Sequence, residues 1–95
     1  MTFDSKKELD RYLYLLDKQK RGEIKGLIRQ VEYELIPAGG GFRATKYIAD
    51  FVFYHKNGNF QVEDVKGLKK GSAYALFKIK QKLMFQRYGI MVVEI

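Results

Sequence analysis

Tyr47-Ile48-Ala49-Asp50-Phe51-Val52-Phe53-Tyr54-His55, the turn Asn57-Gly58-Asn59, and Phe60-Gln61-Val62-Glu63-Asp64-Val65-Lys66 decide how this chain folds. The run from Ala44 to Lys56 is rich in aromatic and β-branched residues, which favour a pleated, half-buried strand. Asn-Gly-Asn supplies a tight turn, and Phe60 to Lys66 reads as the returning strand of a hairpin. Period-two alternation predicts Ile48, Asp50 and Val52 on one face of the first strand, and Val62, Asp64 and Lys66 together on the second. Gln61 and Glu63 then point the other way.

Outward from the hairpin the rest of the chain falls into order. Ser5 to about Lys20 reads as a helix, with Leu9, Tyr12, Leu13 and Leu16 as its buried stripe. Ser5 and Glu8 match a capping box, and Arg21-Gly22 ends the helix. Val31, Tyr33 and Leu35 alternate with Glu32 and Glu34 as a strand does. Pro37 and Gly39-Gly40-Gly41 predict a flexible loop. Gly67 to Gly71 is a short basic loop, Ser72 is expected to cap a second helix to about Tyr88, and Ile90 to Ile95 forms a last strand. That second helix sets Tyr74, Phe77, Met84 and Tyr88 on one face, with Leu76, Ile79 and Leu83 beside it. The order αβββαβ ends on a β-α-β step, which implies a parallel crossover. The expected fold is therefore α/β, a mixed sheet flanked by two helices.

Ninety-five residues make a single domain, spanning 1–95. With no Cys and only His55, neither disulfides nor a zinc site can be built, so any metal is held by oxygen ligands: Mg²⁺, Mn²⁺ or Ca²⁺. The charged start MTFDSKKELD lacks a signal-peptide core, and no apolar run reaches the about 20 residues that span a bilayer. The expectation is a soluble, cytoplasmic protein with no membrane partner and no small organic cofactor. Lys and Arg number 18 against 11 acidic residues, a net charge of +7. That excess points to a polyanion partner, nucleic acid before a membrane surface.

Two carboxylates embedded in apolar strands are expensive unless something pairs with them. A divalent cation between Asp50 and Asp64 would do so, and Lys66 on the same face as Asp64 would reach the same place. Carboxylates that hold Mg²⁺, plus an ammonium that stabilises phosphate charge or orients water, are what phosphodiester hydrolysis requires.

Asp50 followed across a hairpin by Asp64-Val65-Lys66 resembles the signature of the PD-(D/E)XK nuclease superfamily, and the αβββαβ order matches its restriction-endonuclease-like core. Phe3–Glu8 (FDSKKE), Tyr47–Phe51 (YIADF), Val62–Gly67 (VEDVKG), Lys78–Leu83 (KIKQKL) and Tyr88–Ile90 (YGI) are also similar to small hypothetical proteins of phages and prophages. Ala49 stands where the name-giving proline would be, at a position whose side chain does no chemistry. The resemblance implies a Mg²⁺- or Mn²⁺-dependent endonuclease acting on DNA in a bacterial host cell. Asp50, Asp64, Glu8 and the Val65 carbonyl would be its metal ligands, and Lys66 its catalytic ammonium. It also implies a homodimer selective for branched DNA, as Holliday junction resolvases of the superfamily are. The alternative is a non-catalytic nucleic-acid- or protein-binding module on the same fold, and an RNA-directed nuclease would use the same groups.

Glu8 keeps two readings, a metal-site carboxylate or the capping partner of Ser5. Lys80, then Lys82, with Lys78, Lys69 and Lys70, are candidates to meet phosphates from the second helix and the loop before it; a solvated helix face is the plainer reading. Arg43 and Lys46 precede the Asp50 strand as weaker candidates. His55 is expected at the surface of the hairpin tip. Phe51, Phe53 and Tyr54 are read as core and sheet aromatics, and Met84 and Phe85 as helix packing or a dimer surface.

Overall fold

The computed structural model describes residues 2–95. Helix α1 (Lys6–Lys20) is followed by strands β1 (Ile24–Ile36), β2 (Thr45–His55) and β3 (Phe60–Asp64), helix α2 (Ser72–Tyr88) and strand β4 (Val93–Glu94). The strands form one mixed sheet in the order β1-β2-β3-β4, antiparallel except for the parallel β3–β4 pair. Two helices flank this open sheet, the expected restriction-endonuclease-like αβββαβ arrangement.

Each helix covers its own side of the sheet. Leu15 of α1 packs with Ile24, Phe51 and Phe53. Phe77 and Met84 of α2 pack with Leu35, Tyr47, Ala49, Val52, Val62 and Val92. These memberships expose a break in β2. Strict alternation would put Ala49 and Phe51 on one face, yet Ala49 belongs to the α2 side and Phe51 to the α1 side, while Val52 returns to the α2 side. The phase changes at Asp50, so Asp50 and Val52 are not co-facial as period two predicts. The pairing register is the same on both sides, Arg29↔Phe51 and Val31↔Ala49. The intervening residue of β1, Gln30, takes up the irregularity with φ 54°, the left-handed region that a non-glycine side chain rarely enters.

Several local expectations change. Leu9 and Leu13 are 37% and 54% exposed, so α1 is rotated away from its apolar stripe. It instead turns Glu8, Arg11, Tyr12 and Leu15 toward the sheet, because the two charged residues have partners there. Ser72 does not cap α2; it is the first helical residue, and Gly71 is the N-cap at φ 91° with no side-chain bond. The Gly39–Gly41 loop is a closed turn in which Gly39 and Phe42 exchange both backbone hydrogen bonds, 3.1 and 2.9 Å. Gly40 and Gly41 at φ 59° and 83° supply the left-handed pair that such a two-residue turn needs. Strand β1 starts at Ile24, well before Val31, and β4 is shorter than Ile90–Ile95. The parallel ladder continues past the strand ends through Ile95 N–H to Asp64 O (2.9 Å) and Lys66 N–H to Ile95 O (3.2 Å), which fixes Lys66 beside Asp64.

The position of α1 is set by one buried ion pair. Glu63 is fully buried on the α1 side, and Arg11 donates to both its carboxylate oxygens at 2.9 and 2.7 Å, with Gln61 adding a third donor at 2.7 Å. Removing one partner of such a pair strands the other charge in the core, whereas replacing both can be close to neutral. Arg11→Ala is expected to cost about 3–5 kcal/mol in chemical denaturation. Arg11→Met with Glu63→Leu is expected to recover most of that loss.

Candidate active site

Glu8 enters from the first turn of α1, Asp50 from the phase break of β2, Asp64 from the end of β3, and Val65 and Lys66 from the segment after it. All five line one cleft of about 470 Å³ together with Gln30. The sequence-derived set Glu8, Asp50, Asp64, Val65 and Lys66 is thus brought together in space.

The two readings of Glu8 separate by geometry. Ser5 Oγ accepts from the Glu8 N–H at 3.1 Å, which is the N-cap. The Glu8 carboxylate, on a residue only 4% exposed, runs instead to Gln30 Nε2 at 3.2 Å and to Arg29 at 3.6 Å. The Arg29 guanidinium carbon is 3.9 Å from the Phe3 ring centroid and its Nη2 donates to the Thr2 carbonyl at 2.9 Å, so the N-terminal segment holds it in place. The cap therefore uses the Glu8 backbone and leaves its side chain for the cleft.

Asp64 is held from two sides. The Lys66 ammonium sits 2.8 Å from Oδ1, and the buried Tyr47 hydroxyl donates to Oδ2 at 2.7 Å. Burial first, and then the Asp64 charge, push the Tyr47 hydroxyl's pKa far above its ordinary value, so it remains a donor. Lys66 also lies 3.8 Å from the Phe77 ring centroid, so α2 fixes its height over the cleft.

Asp50 is different. Its Oδ2 accepts the Val65 N–H at 2.8 Å and its Oδ1 the Gln30 amide at 3.3 Å, both neutral donors. Among the described residues Glu8 has Arg29 and Asp64 has Lys66, but Asp50 has no cation. Burial raises its carboxyl pKa to about 6, and the neighbouring Asp64 and Glu8 charges add to the shift against the two hydrogen bonds. Gln30 and Tyr47, which hydrogen-bond the three carboxylates, are the positions of the candidate site that sequence reading missed. One Gln30 nitrogen donates to both Glu8 and Asp50, and its left-handed backbone is what aims it between them.

Among the described residues, no three His, Cys, Asp or Glu groups are clustered tightly enough to form a ready metal cage. The donor set nevertheless suits a hard divalent cation: the cleft is lined by the carboxylates of Glu8, Asp50 and Asp64, all oxygen donors, one of them without a balancing charge among the described residues.

The lysine candidates divide. Lys80 and Lys46 line a neighbouring recess with Asp64 and Lys66. Lys46 is also 3.5 Å from Glu32 across an exposed pair, which binds it weakly. Lys78 is committed to Glu94 at 2.9 Å, where Tyr74 also donates at 2.6 Å. Lys82 lies on a separate groove with Phe85 and Met91. Arg43, Lys69 and Lys70 are exposed on loops. His55, half-buried, meets Gln61 at 2.6 Å, and Met84 is core while Phe85 is half-exposed.

The Asp50 shift gives a stability prediction with a definite sign. A carboxyl whose folded pKa is raised keeps its full stability below the ordinary carboxylate range and loses it as pH climbs through about 6. Asp50→Asn keeps a carbonyl acceptor for Val65 and removes the charge. With solvent screening of this half-open group allowed for, thermal denaturation of the variant at pH 8 is expected about 4–8 °C above wild type. At pH 4 the two should converge. Gln30→Ala removes a hydrogen bond that favours the ionised form, so carboxyl NMR should find Asp50 titrating above its wild-type value.

No curated protein and no solved structure matches the chain. One family model, described as protein of unknown function (DUF1064), matches residues 1–94, and the chain belongs to that family.

Proposed function

We propose that the chain is a divalent-metal-dependent nuclease of the PD-(D/E)XK type, an endonuclease hydrolysing DNA phosphodiester bonds. The observation that carries this reading is the convergence of Glu8, Asp50, Asp64 and Lys66 on one cleft, with Asp50 the carboxylate that has no cation among the described residues. Asp50, Asp64, Glu8 and the Val65 carbonyl would hold Mg²⁺ or Mn²⁺. When bound, that ion supplies Lewis acidity toward a phosphate oxygen and lowers the pKa of a bound water. The chain's own groups divide the remaining work. Tyr47 fixes the rotamer of Asp64, Gln30 holds Glu8 and Asp50 facing one another, and Lys66 places a positive charge where negative charge grows on the phosphate.

The net charge of +7 favours a nucleic-acid substrate. The described residues are taken up by one four-stranded sheet and two helices around this site, which favours recognition of DNA shape, including branched DNA, with a homodimer to cut both strands. Of the lysines, Lys80 and Lys46 are the best placed to meet phosphates, with Arg43, Lys69 and Lys70 able to reach them from exposed loops. A phage or prophage setting in the cytoplasm of a bacterial host follows from the local sequence similarities. No helix among the described residues is long and apolar enough to cross a membrane.

A labelled panel of four-way junction, flap, single strand and linear duplex, incubated with Mg²⁺ or Mn²⁺, tests the proposal. Wild type is expected to cut in a metal-dependent way, and Asp64→Ala and Lys66→Ala each to lose about a hundredfold or more in rate. Binding without cutting under every metal condition would favour the non-catalytic binding module instead.

A further inference from the structure

A second recess, of about 330 Å³, opens beside the carboxylate cleft and shares Ile48, Asp64 and Lys66 with it. Its walls are of two kinds. Ile48 and Leu76 are aliphatic side chains left 51% and 52% exposed, and Phe77 closes the inner side beneath the Lys66 ammonium. Lys46 and Lys80 line the same recess. Half-exposed aliphatic walls gain by covering a flat apolar ring, and the lysines attract a phosphate. A ligand that carries both is a nucleotide.

We infer that this recess takes one unpaired nucleotide next to the phosphate in the carboxylate cleft, its base against Ile48 and Leu76 and its own phosphate toward Lys80 and Lys46. The inference rests on the nucleic-acid reading above and narrows it to a substrate class. The volume lies at the lower end of small-ligand clefts, about 300–1,000 Å³, so it suits a single nucleotide. A base inside a duplex must leave its stack before it can enter such a recess, and a base that is already unpaired avoids that cost. Strands unpaired beside the cut, in a single strand, flap or junction, are therefore the preferred substrates, and linear duplex is the poor one.

The test scans a labelled single strand, replacing one nucleotide at a time by an abasic residue. Cleavage KM is read with Mg²⁺, and equilibrium binding by anisotropy with Ca²⁺ in its place. One position is expected at which losing the base weakens binding about fivefold to tenfold. That penalty vanishes in Leu76→Ala, which removes the wall, and grows in Leu76→Phe, which widens it. Leu76 is half-exposed, so both variants keep the wild-type melting curve to within a few degrees. Lys80→Gln should weaken intact and abasic strands alike and lower the salt slope by about one phosphate contact. A flat abasic scan with normal cleavage overturns the nucleotide recess and leaves the nuclease reading standing; it makes the lysines a plain phosphate site. A base-dependent scan without cleavage of any substrate upholds the recess and overturns catalysis. Failure to bind any strand overturns both.

Discussion

The negative charge of Asp50 is the constraint around which the site is arranged. Its carboxylate is aimed into a cleft that already holds Glu8 and Asp64, and those two take the available cations, Arg29 and Lys66. Among the described residues, the Val65 N–H and the Gln30 amide are what stabilises it. Neutral donors offset part of the desolvation of a carboxylate but do not remove its repulsion from two neighbours. A fold optimised for stability alone would place an apolar or amide side chain here. The chain carries instead a carboxyl group whose charged form is disfavoured, a condition that the proposed metal would relieve.

The sheet bears a backbone cost to make this arrangement. β2 changes phase at Asp50, so that residues before it pack under α2 while Phe51 and Phe53 pack under α1. Gln30 across the ladder adopts φ 54° without loss of register. The same two residues that depart from ideal strand geometry are the ones joined by a hydrogen bond in the cleft. Strained backbone held in place by well-packed flanks is a feature of functional sites. The flanks here are two separate cores, and α1 is docked through the Arg11–Glu63 pair, which also fixes where Glu8 enters.

Much of this was legible in the sequence for local reasons. The hairpin over Ala44–Lys66 follows from strand composition and an Asn-Gly turn, and Asp64 and Lys66 share a face because they are two positions apart, with Val65 between them. The helix positions follow from apolar spacing and glycine stops. The rotation of α1 was not legible, since counting apolar residues selects Leu9 and Leu13 and cannot register that Glu8 and Arg11 have partners 22 and 52 residues away. Gln30 reads as one more outward polar residue of a strand until its backbone angle is known. Tyr47 reads as a core aromatic, which it is, and only the tertiary fold brings its hydroxyl to Asp64. Lys78, a phosphate candidate ranked behind Lys80 and Lys82, is committed to Glu94 at the far end of the chain, a partner that spacing along the helix does not reveal.

Calorimetric titration of the protein with Mn²⁺ and Mg²⁺, for wild type beside Asp50→Asn and Asp64→Asn, tests the account at its centre. Saturable binding to wild type that both substitutions abolish is expected, with protons released to the buffer near pH 6 as the metal displaces the proton of the Asp50 carboxyl. Binding that is absent from wild type, or that survives both substitutions, would contradict it.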